Sequence, residues 1–274
     1  MMIFEYEFMR RAFLVGILLA VIVPCIGTVI VLKRLSMVGD ALSHTSLAGV
    51  ALGLIFNFNP VLGAVAACTL AAFAMEGIRK KFPQYSEISI AIIMSAGIGL
   101  AGILSGFVQN AQSFNSFLFG SIVAISDFEL DLVIIISVIV LLSFVFLYRE
   151  LFYISFDEQL ARLAGVPVRT VNFIFTVLTA ITVSVAARTV GALIVSSMMV
   201  VPVACAMQVA KSYKKTVLCA IGFALVFTVP GLFISYYVGL KPGGTIVLCG
   251  VLILVLILIF KNSSVGKRIP RLRQ

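Results

Sequence analysis

Charge is what this chain has least of. Asp, Glu, Lys and Arg make up 11% of its 274 residues, while 62% of positions are apolar and mean hydropathy is +1.20. So few charges cannot cover a water-soluble surface, which excludes a soluble globular protein and describes an integral membrane protein. Histidine occurs once, at His44, so there is no His-Glu-x-x-His motif and an intramembrane metalloprotease is excluded. A Gly-x-x-x-x-Gly-Lys-Ser/Thr phosphate loop is also missing: the only Gly-Lys pair, Gly266-Lys267, is followed by Arg268. The chain therefore has no means of its own to hydrolyse ATP. Cys25, Cys68, Cys205, Cys219 and Cys249 stand singly in apolar surroundings without a Cys-x-x-Cys pair. They read as small buried apolar residues, not as disulfides or metal ligands.

A regular ten-residue alternation of apolar and polar positions is lacking too, which argues for helices over a β-barrel. Apolar segments fall near 12–32, 40–56, 61–76, 88–108, 129–147, 171–187, 191–209, 216–237 and 243–260. A hydrocarbon core of about 30 Å needs roughly 20 apolar residues per helix, so the expectation is an all-α polytopic bundle of eight or nine transmembrane helices. It forms a single domain over 1–274, with a cytoplasmic segment at 148–170 and a cytoplasmic tail at 261–274. The first segment continues to Leu32 without a small-residue cleavage pattern and is read as a retained span.

Basic clusters orient the bundle. Arg79, Lys80 and Lys81, then Arg149, Arg162 and Arg169, then Lys211, Lys214 and Lys215, and the tail from Lys261 to Arg273 can all face the cytoplasm. Nine spans put the N-terminus outside and leave Arg10, Arg11, Arg188 and Lys241 there. Eight spans, with 40–56 only dipping into the bilayer, put Lys33 and Arg34 outside in place of Arg10 and Arg11. The charge rule scores both arrangements equally. The net charge of +9 is explained by topology and by contact with anionic membrane lipid, and nucleic-acid binding is not expected.

Three stretches break the apolar monotony. In "SMVGDALSHTSLAGVALG", residues 36–53, Asp40 and His44 are one helical turn apart. Their Cβ atoms would be about 5–6 Å from each other, close enough for both side chains to touch one ion. Zinc accepts both groups at bond lengths of roughly 2.0–2.2 Å, and Ser43 is a candidate lining residue beside them. Gly49 and Gly53 have the small-xxx-small spacing that lets helices approach closely. An ionisable pair in such a helix needs a partner, a cavity or a path. The pair bonding each other or nearby backbone as a helix fastener is the competing reading. In "SFDEQLARLAGVPVR", residues 155–169, Phe156, Leu160, Leu163 and Ala164 share one face and Gly165 and Pro167 form a stop. This describes a short amphipathic helix, either docked in a groove of another protein or lying on lipid. In 185–211, Arg188 and Gly191 barely separate two apolar runs, and Pro202 lies inside the second.

Taken in order, these blocks resemble the membrane permease subunit of bacterial ABC importers for zinc, manganese and iron. The resemblance rests on "VLKRLSMVGDALSHTSLAGVALG", "LFGSI" at 118–122, "SFDEQLARLAGVPVR", "RTVGALIVSSMMVVPVA" at 188–204 and "GLFISYYVGLKPGGTIVL" at 231–248. "EISIAIIMS" at 87–95 together with "DALSHTSLAGVALG" at 40–53 resembles the zinc-type members more than the manganese-type. The resemblance implies a non-catalytic subunit of the bacterial cytoplasmic membrane with no permanently bound cofactor. Its transported substrate would be zinc(II), with manganese(II) or iron(II) as alternatives. It implies Asp40 and His44 as metal contacts on the path. It also implies Phe156, Asp157, Glu158, Leu160, Gly165 and Pro167 as the helix that couples to an ABC ATPase subunit. The implied partners are a second copy of the chain, two ATPase subunits and an extracellular metal-binding protein. A two-fold dimer would double the donors that one helix offers to zinc, which usually takes four ligands. A gradient-driven secondary transporter, with Asp40 as a proton site, and a non-transporting scaffold are the readings from other classes.

Overall fold

A computed structural model describes residues 5–82, 85–108, 111–120 and 125–266. The described residues are helical almost throughout, in twelve α-helices: α1 Glu7–Leu32, α2 Val38–Ile55, α3 Pro60–Lys81, α4 Ser86–Ser105, α5 Ala111–Phe119, α6 Asp127–Phe146, α7 Tyr148–Phe156, α8 Glu158–Leu163, α9 Val168–Ala186, α10 Ala192–Val209, α11 Tyr213–Val238 and α12 Pro242–Gly266. Of the expected tail, 267–274 lies outside the described residues, as do Ser121 and Ile122 of the "LFGSI" block.

The helices outrun the apolar segments because charged terminal turns find partners. α1 begins at Glu7, where Glu7 and Asp127 both pair with Arg11. α3 continues through Arg79, whose guanidinium lies 2.8 Å from Glu76. Caps set the ends. Ser126 and Glu129 form a capping box on α6, and Asn59 caps α3 ahead of Pro60 at its first position. α11 closes on Gly239 at φ +74°, a left-handed residue that only glycine adopts without cost.

Helix ends meet in two groups, and this resolves the topology. At one end Lys33, just past α1, contacts Glu158 of α8 and Asn172 of α9. There too, Tyr213 at the start of α11 packs on Tyr148 and Phe152 of α7, and Lys261 of α12 contacts Gln208 of α10. At the other end Arg11 pairs with Asp127, Glu129 with Arg188, and Lys241 sits over the Phe119 ring. Helices α1, α2, α3, α4, α6, α9, α10, α11 and α12 thus thread alternately between the two ends. Eight of them are long and apolar enough to cross a membrane, and the remaining one, α10, has the shorter apolar stretch Ile194–Val209. The arrangement is the nine-crossing one. Among the described residues only Arg10, Arg11, Arg188 and Lys241 are basic at the outer end, and Lys33 and Arg34 join the cytoplasmic cluster.

α1, α2 and α9 lie deepest, whereas α4, α6 and α12 expose most of their surface. Leu19, Val29, Ala41 and Met199 are fully buried, while Leu70, Ile103, Phe146 and Phe260 face outward where lipid would cover them. α2 and α3 touch through glycine. A Cβ on Gly49 would lie 2.3 Å from the Gly63 carbonyl oxygen, so the backbones meet directly. Gly53 serves instead the turn into α3, where its Cβ would meet Pro60. The break expected around Arg188 and Gly191 is a π-helical turn, Ala187–Gly191, between α9 and α10. Pro202 is accommodated inside α10.

Candidate functional site

Asp40 lies in the first turn of α2 at the cytoplasmic end. His44, one turn further in, is about 9 Å along the axis from the helix start. Both side chains are half-buried. Neither makes a hydrogen bond or ion pair with any described residue, with each other included. The fastener arrangement is therefore absent among the described residues. Ser43 beside them is 2% exposed, and its hydroxyl has no partner there.

Three helices pack on the first turns of α2. Gly39 packs against Ser196 and Met199 of α10, Leu42 receives the Cys68 thiol of α3 at 3.2 Å on its carbonyl, and Gly97 of α4 lies under Thr45 and the His44 carbonyl carbon. Asp40 and His44 occupy the sector left between α4 and α10. No group of three or more His, Cys, Asp or Glu that could hold a metal ion occurs among the described residues. One copy of the chain offers a carboxylate, an imidazole and a neighbouring hydroxyl, which is an incomplete coordination set for zinc.

The second element differs from the single amphipathic helix expected over 156–167. Phe156 closes α7, and Asp157 begins α8 by accepting hydrogen bonds from the amides of Gln159, at 2.7 Å, and Leu160, at 3.0 Å. A side chain that caps one helix must stand in extended backbone, so the chain breaks there. α8 ends as foreseen: Gly165 adopts φ +82°, the Val166 amide returns to the Ala161 carbonyl at 3.0 Å, and Pro167 leads into α9. The apolar side is nevertheless presented outward. Phe156 and Leu160 are more than half exposed, Leu163 is 85% exposed, and Ala161 is fully buried.

Glu158 turns the other way. Its carboxylate lies 3.0 Å from the Lys33 ammonium and accepts a hydrogen bond from the Asn172 amide nitrogen at 3.1 Å. Lys33 also donates to Asn172 Oδ1 at 2.9 Å. Burial pushes the Glu158 carboxyl up, but Lys33, Asn172 and Arg79 together hold it below the usual carboxylate range. Burial lowers the Lys33 ammonium, against the pull of Glu158. Sequence reasoning had no signal for this group, since Lys33 counts there only as a topology charge and Asn172 as a polar residue. Beside it a recess of about 1290 Å³ opens on the cytoplasmic side, walled by Lys33, Glu76, Arg79, Phe156, Glu158 and Asn172 among others.

The outer end carries polar contacts and α5, which is too short and too rich in Gln, Ser and Asn to register as an apolar segment. Arg188 Nε donates to Glu129 at 2.6 Å, and its guanidinium lies 4.4 Å from the Phe117 ring centre. Gly120 and Gly191 meet so closely that a Cβ on either would strike the other segment's backbone.

The pattern of the ABC 3 transport family matches residues 5–261. A protein of Treponema pallidum described as a probable metal transport system membrane protein is 34% identical over 93% of this chain and 96% of its own length. The manganese transport system membrane protein MntC of Listeria monocytogenes is 30% identical over 93% of this chain and 91% of its own. The high-affinity zinc uptake system membrane protein ZnuB of Haemophilus influenzae is 29% identical over 94% and 99%. Among solved structures, PsaBC from Streptococcus pneumoniae in complex with Fab superposes with a TM-score of 0.83 at 29% identity, covering 92% of this chain and 91% of that one. Identity does not separate the zinc from the manganese relatives.

Proposed function

The chain belongs to the ABC 3 transport family, and on that premise we propose that it is the permease of an ABC importer in which Asp40 and His44 contact the transported metal. It is a multi-pass protein of the bacterial cytoplasmic membrane, and its relatives are metal-transport membrane proteins. The observation that carries the proposal is that the half-buried side chains of Asp40 and His44, one turn apart on α2, have no bonding partner among the described residues. A carboxylate and an imidazole left without protein partners are costly in a membrane helix unless an ion or a path uses them.

The substrate is a divalent transition metal, and the reading favours zinc. Imidazole with carboxylate suits zinc, and a conveyor benefits from an incomplete site that releases its ion. A two-fold dimer related through the open face of α2 would set two such pairs opposite each other. Manganese is the second reading, favoured by the relatives described as manganese transport proteins. The exposed Phe156, Leu160 and Leu163 are the docking face for a separate ATPase subunit, with Asp157, Gly165 and Pro167 shaping its ends. An extracellular metal-binding protein would deliver the ion to the outer end. The chain itself is the non-catalytic part.

The test is ATP-dependent uptake of labelled zinc and manganese into vesicles holding this chain with its ATPase subunit. Uptake of zinc in preference to manganese is expected. Uptake that proceeds without any ATPase subunit would instead establish the gradient-driven transporter.

A further inference from the structure

The exposed face of α8 accounts for docking but not for how a docked subunit would act on α2, whose first turn lies at the same cytoplasmic end. α8 is a six-residue helix whose seat on the bundle consists of buried Ala161 and half-buried Glu158. Glu158 closes a three-membered polar ring with Lys33 and Asn172: 3.0 Å from Lys33 to Glu158, 2.9 Å from Lys33 to Asn172, and 3.1 Å from Asn172 to Glu158. The Lys33 side chain is only 9% exposed. A charge so far out of water is held firmly by its partners, because separating them leaves an ion both desolvated and unpaired.

Lys33 is also the last anchored point before α2. From it the chain passes through Arg34 at φ +58° into a hydrogen-bonded turn. The Arg34 amide returns to Val31, the Leu35 amide to Ile30 at 2.9 Å, and the Val38 amide to Leu35 at 3.0 Å. A left-handed residue within closed hydrogen-bonded turns is a stiff connection, so a displacement at Lys33 reaches the first turn of α2, where Asp40 stands. The recess beside the ring leaves space for such a displacement.

We propose that Lys33, Glu158 and Asn172 form the strut through which α8 moves α2, making them positioning residues that set how much metal is moved per ATP hydrolysed. The inference rests on the reading under Proposed function. None of the three touches the metal; they act through the orientation of α2.

The test uses the complex of this chain with its ATPase subunit in vesicles, in wild-type form and as Lys33→Met, Glu158→Gln and the exchanged pair K33E/E158K. Zinc uptake and ATP hydrolysis are measured per assembled complex, and amide hydrogen exchange of residues 35–45 is followed with and without ATP. In the single variants, hydrolysis is expected to persist while zinc moved per ATP falls about fivefold or more, the lower end of typical coupling between sites. The nucleotide-dependent change in exchange at 35–45 disappears with it, and the exchanged pair restores both. Single variants that keep the wild-type ratio overturn the strut. So does a loss of assembled complex in which the survivors keep that ratio, since the ring would then be a fastener only. If the exchanged pair does not assemble, Glu158→Gln decides, because it keeps shape and hydrogen bonding and removes only charge. If the wild-type complex moves no metal, the transport reading falls and exchange alone judges the strut. A nucleotide-dependent change at 35–45 that the single variants lose supports it, and one that is absent or survives in them overturns it.

Discussion

Asp40→Asn keeps the size of the side chain and removes its charge, His44→Ala removes the imidazole, and His44→Gln keeps a hydrogen-bonding group that is a poor zinc ligand. Neither the Asp40 nor the His44 side chain makes a hydrogen bond or ion pair with a described residue, so none of these changes breaks one and abundance should hold. Uptake of labelled zinc per assembled complex is expected to fall about tenfold or more in each, the scale on which perturbed metal sites respond. Near-normal uptake in all three would remove the pair from the path. Glu158 carries a pH signature of its own. Its folded pKa is held below the ordinary value, so its contribution is complete above about pH 4.3 and is lost as pH falls through the folded value. Hydrogen-exchange protection in 158–163, taken relative to the intrinsic amide rate at each pH, should therefore stay flat down to about pH 5 and fall only below about 4. Asp40 and His44 were legible in sequence because two ionisable residues inside an apolar run are a local anomaly. The partners of Glu158 were not, because nothing near it in the chain names Lys33.

Two helices carry the next scale. The end of α7 and α8 together present Phe156, Leu160 and Leu163 outward, so Phe156→Glu or Leu160→Glu should leave the bundle intact while recovery of the ATPase on co-purification drops roughly tenfold or more, as for a central interface residue. Undiminished recovery would point to a helix resting on lipid. The helix period grouped apolar residues that the structure does expose, but Phe156 belongs to the helix before, because Asp157 spends its carboxylate on capping. Propensity and period cannot see which polar side chain folds back on the backbone. The contact of α2 with α3 is more directly readable. Gly49→Ala forces a methyl group into the Gly63 carbonyl oxygen and should cost about 1–3 kcal/mol of stability. Gly102→Ala, with open space at its Cβ, is the control and should leave thermal unfolding in detergent unchanged.

At the scale of the whole molecule, nine helices alternating between two ends place Tyr6 outside and Met37 inside. Both residues are about half exposed. A cysteine at Tyr6 should react with a membrane-impermeant thiol reagent in intact cells, and one at Met37 only after the membrane is opened. The eight-span arrangement predicts the reverse for both. The purified chain should also neither bind nor hydrolyse ATP, since it has no phosphate loop. Hydrolysis should appear only when a nucleotide-binding subunit is added.

Composition determined that the protein lives in a membrane, because the chain is too apolar to stay in water, and the lack of a ten-residue alternation determined that it does so as helices and not as a barrel. Hydropathy located the crossing helices within a few residues, and the apolar contrast singled out Asp40 and His44. These are properties of neighbouring residues, read along the chain. Tertiary structure decided what depends on distant ones. The side of the membrane on which Lys33 lies was undecided by charge counting and was resolved by its contact with Asn172, 139 positions away. The same packing left the side chains of Asp40 and His44 without a bonding partner among the described residues and tied α8 to Lys33, ahead of α2. Such pairings are set by which helices come to lie side by side, and hydropathy, being nearly uniform along every helix, carries no record of its neighbours.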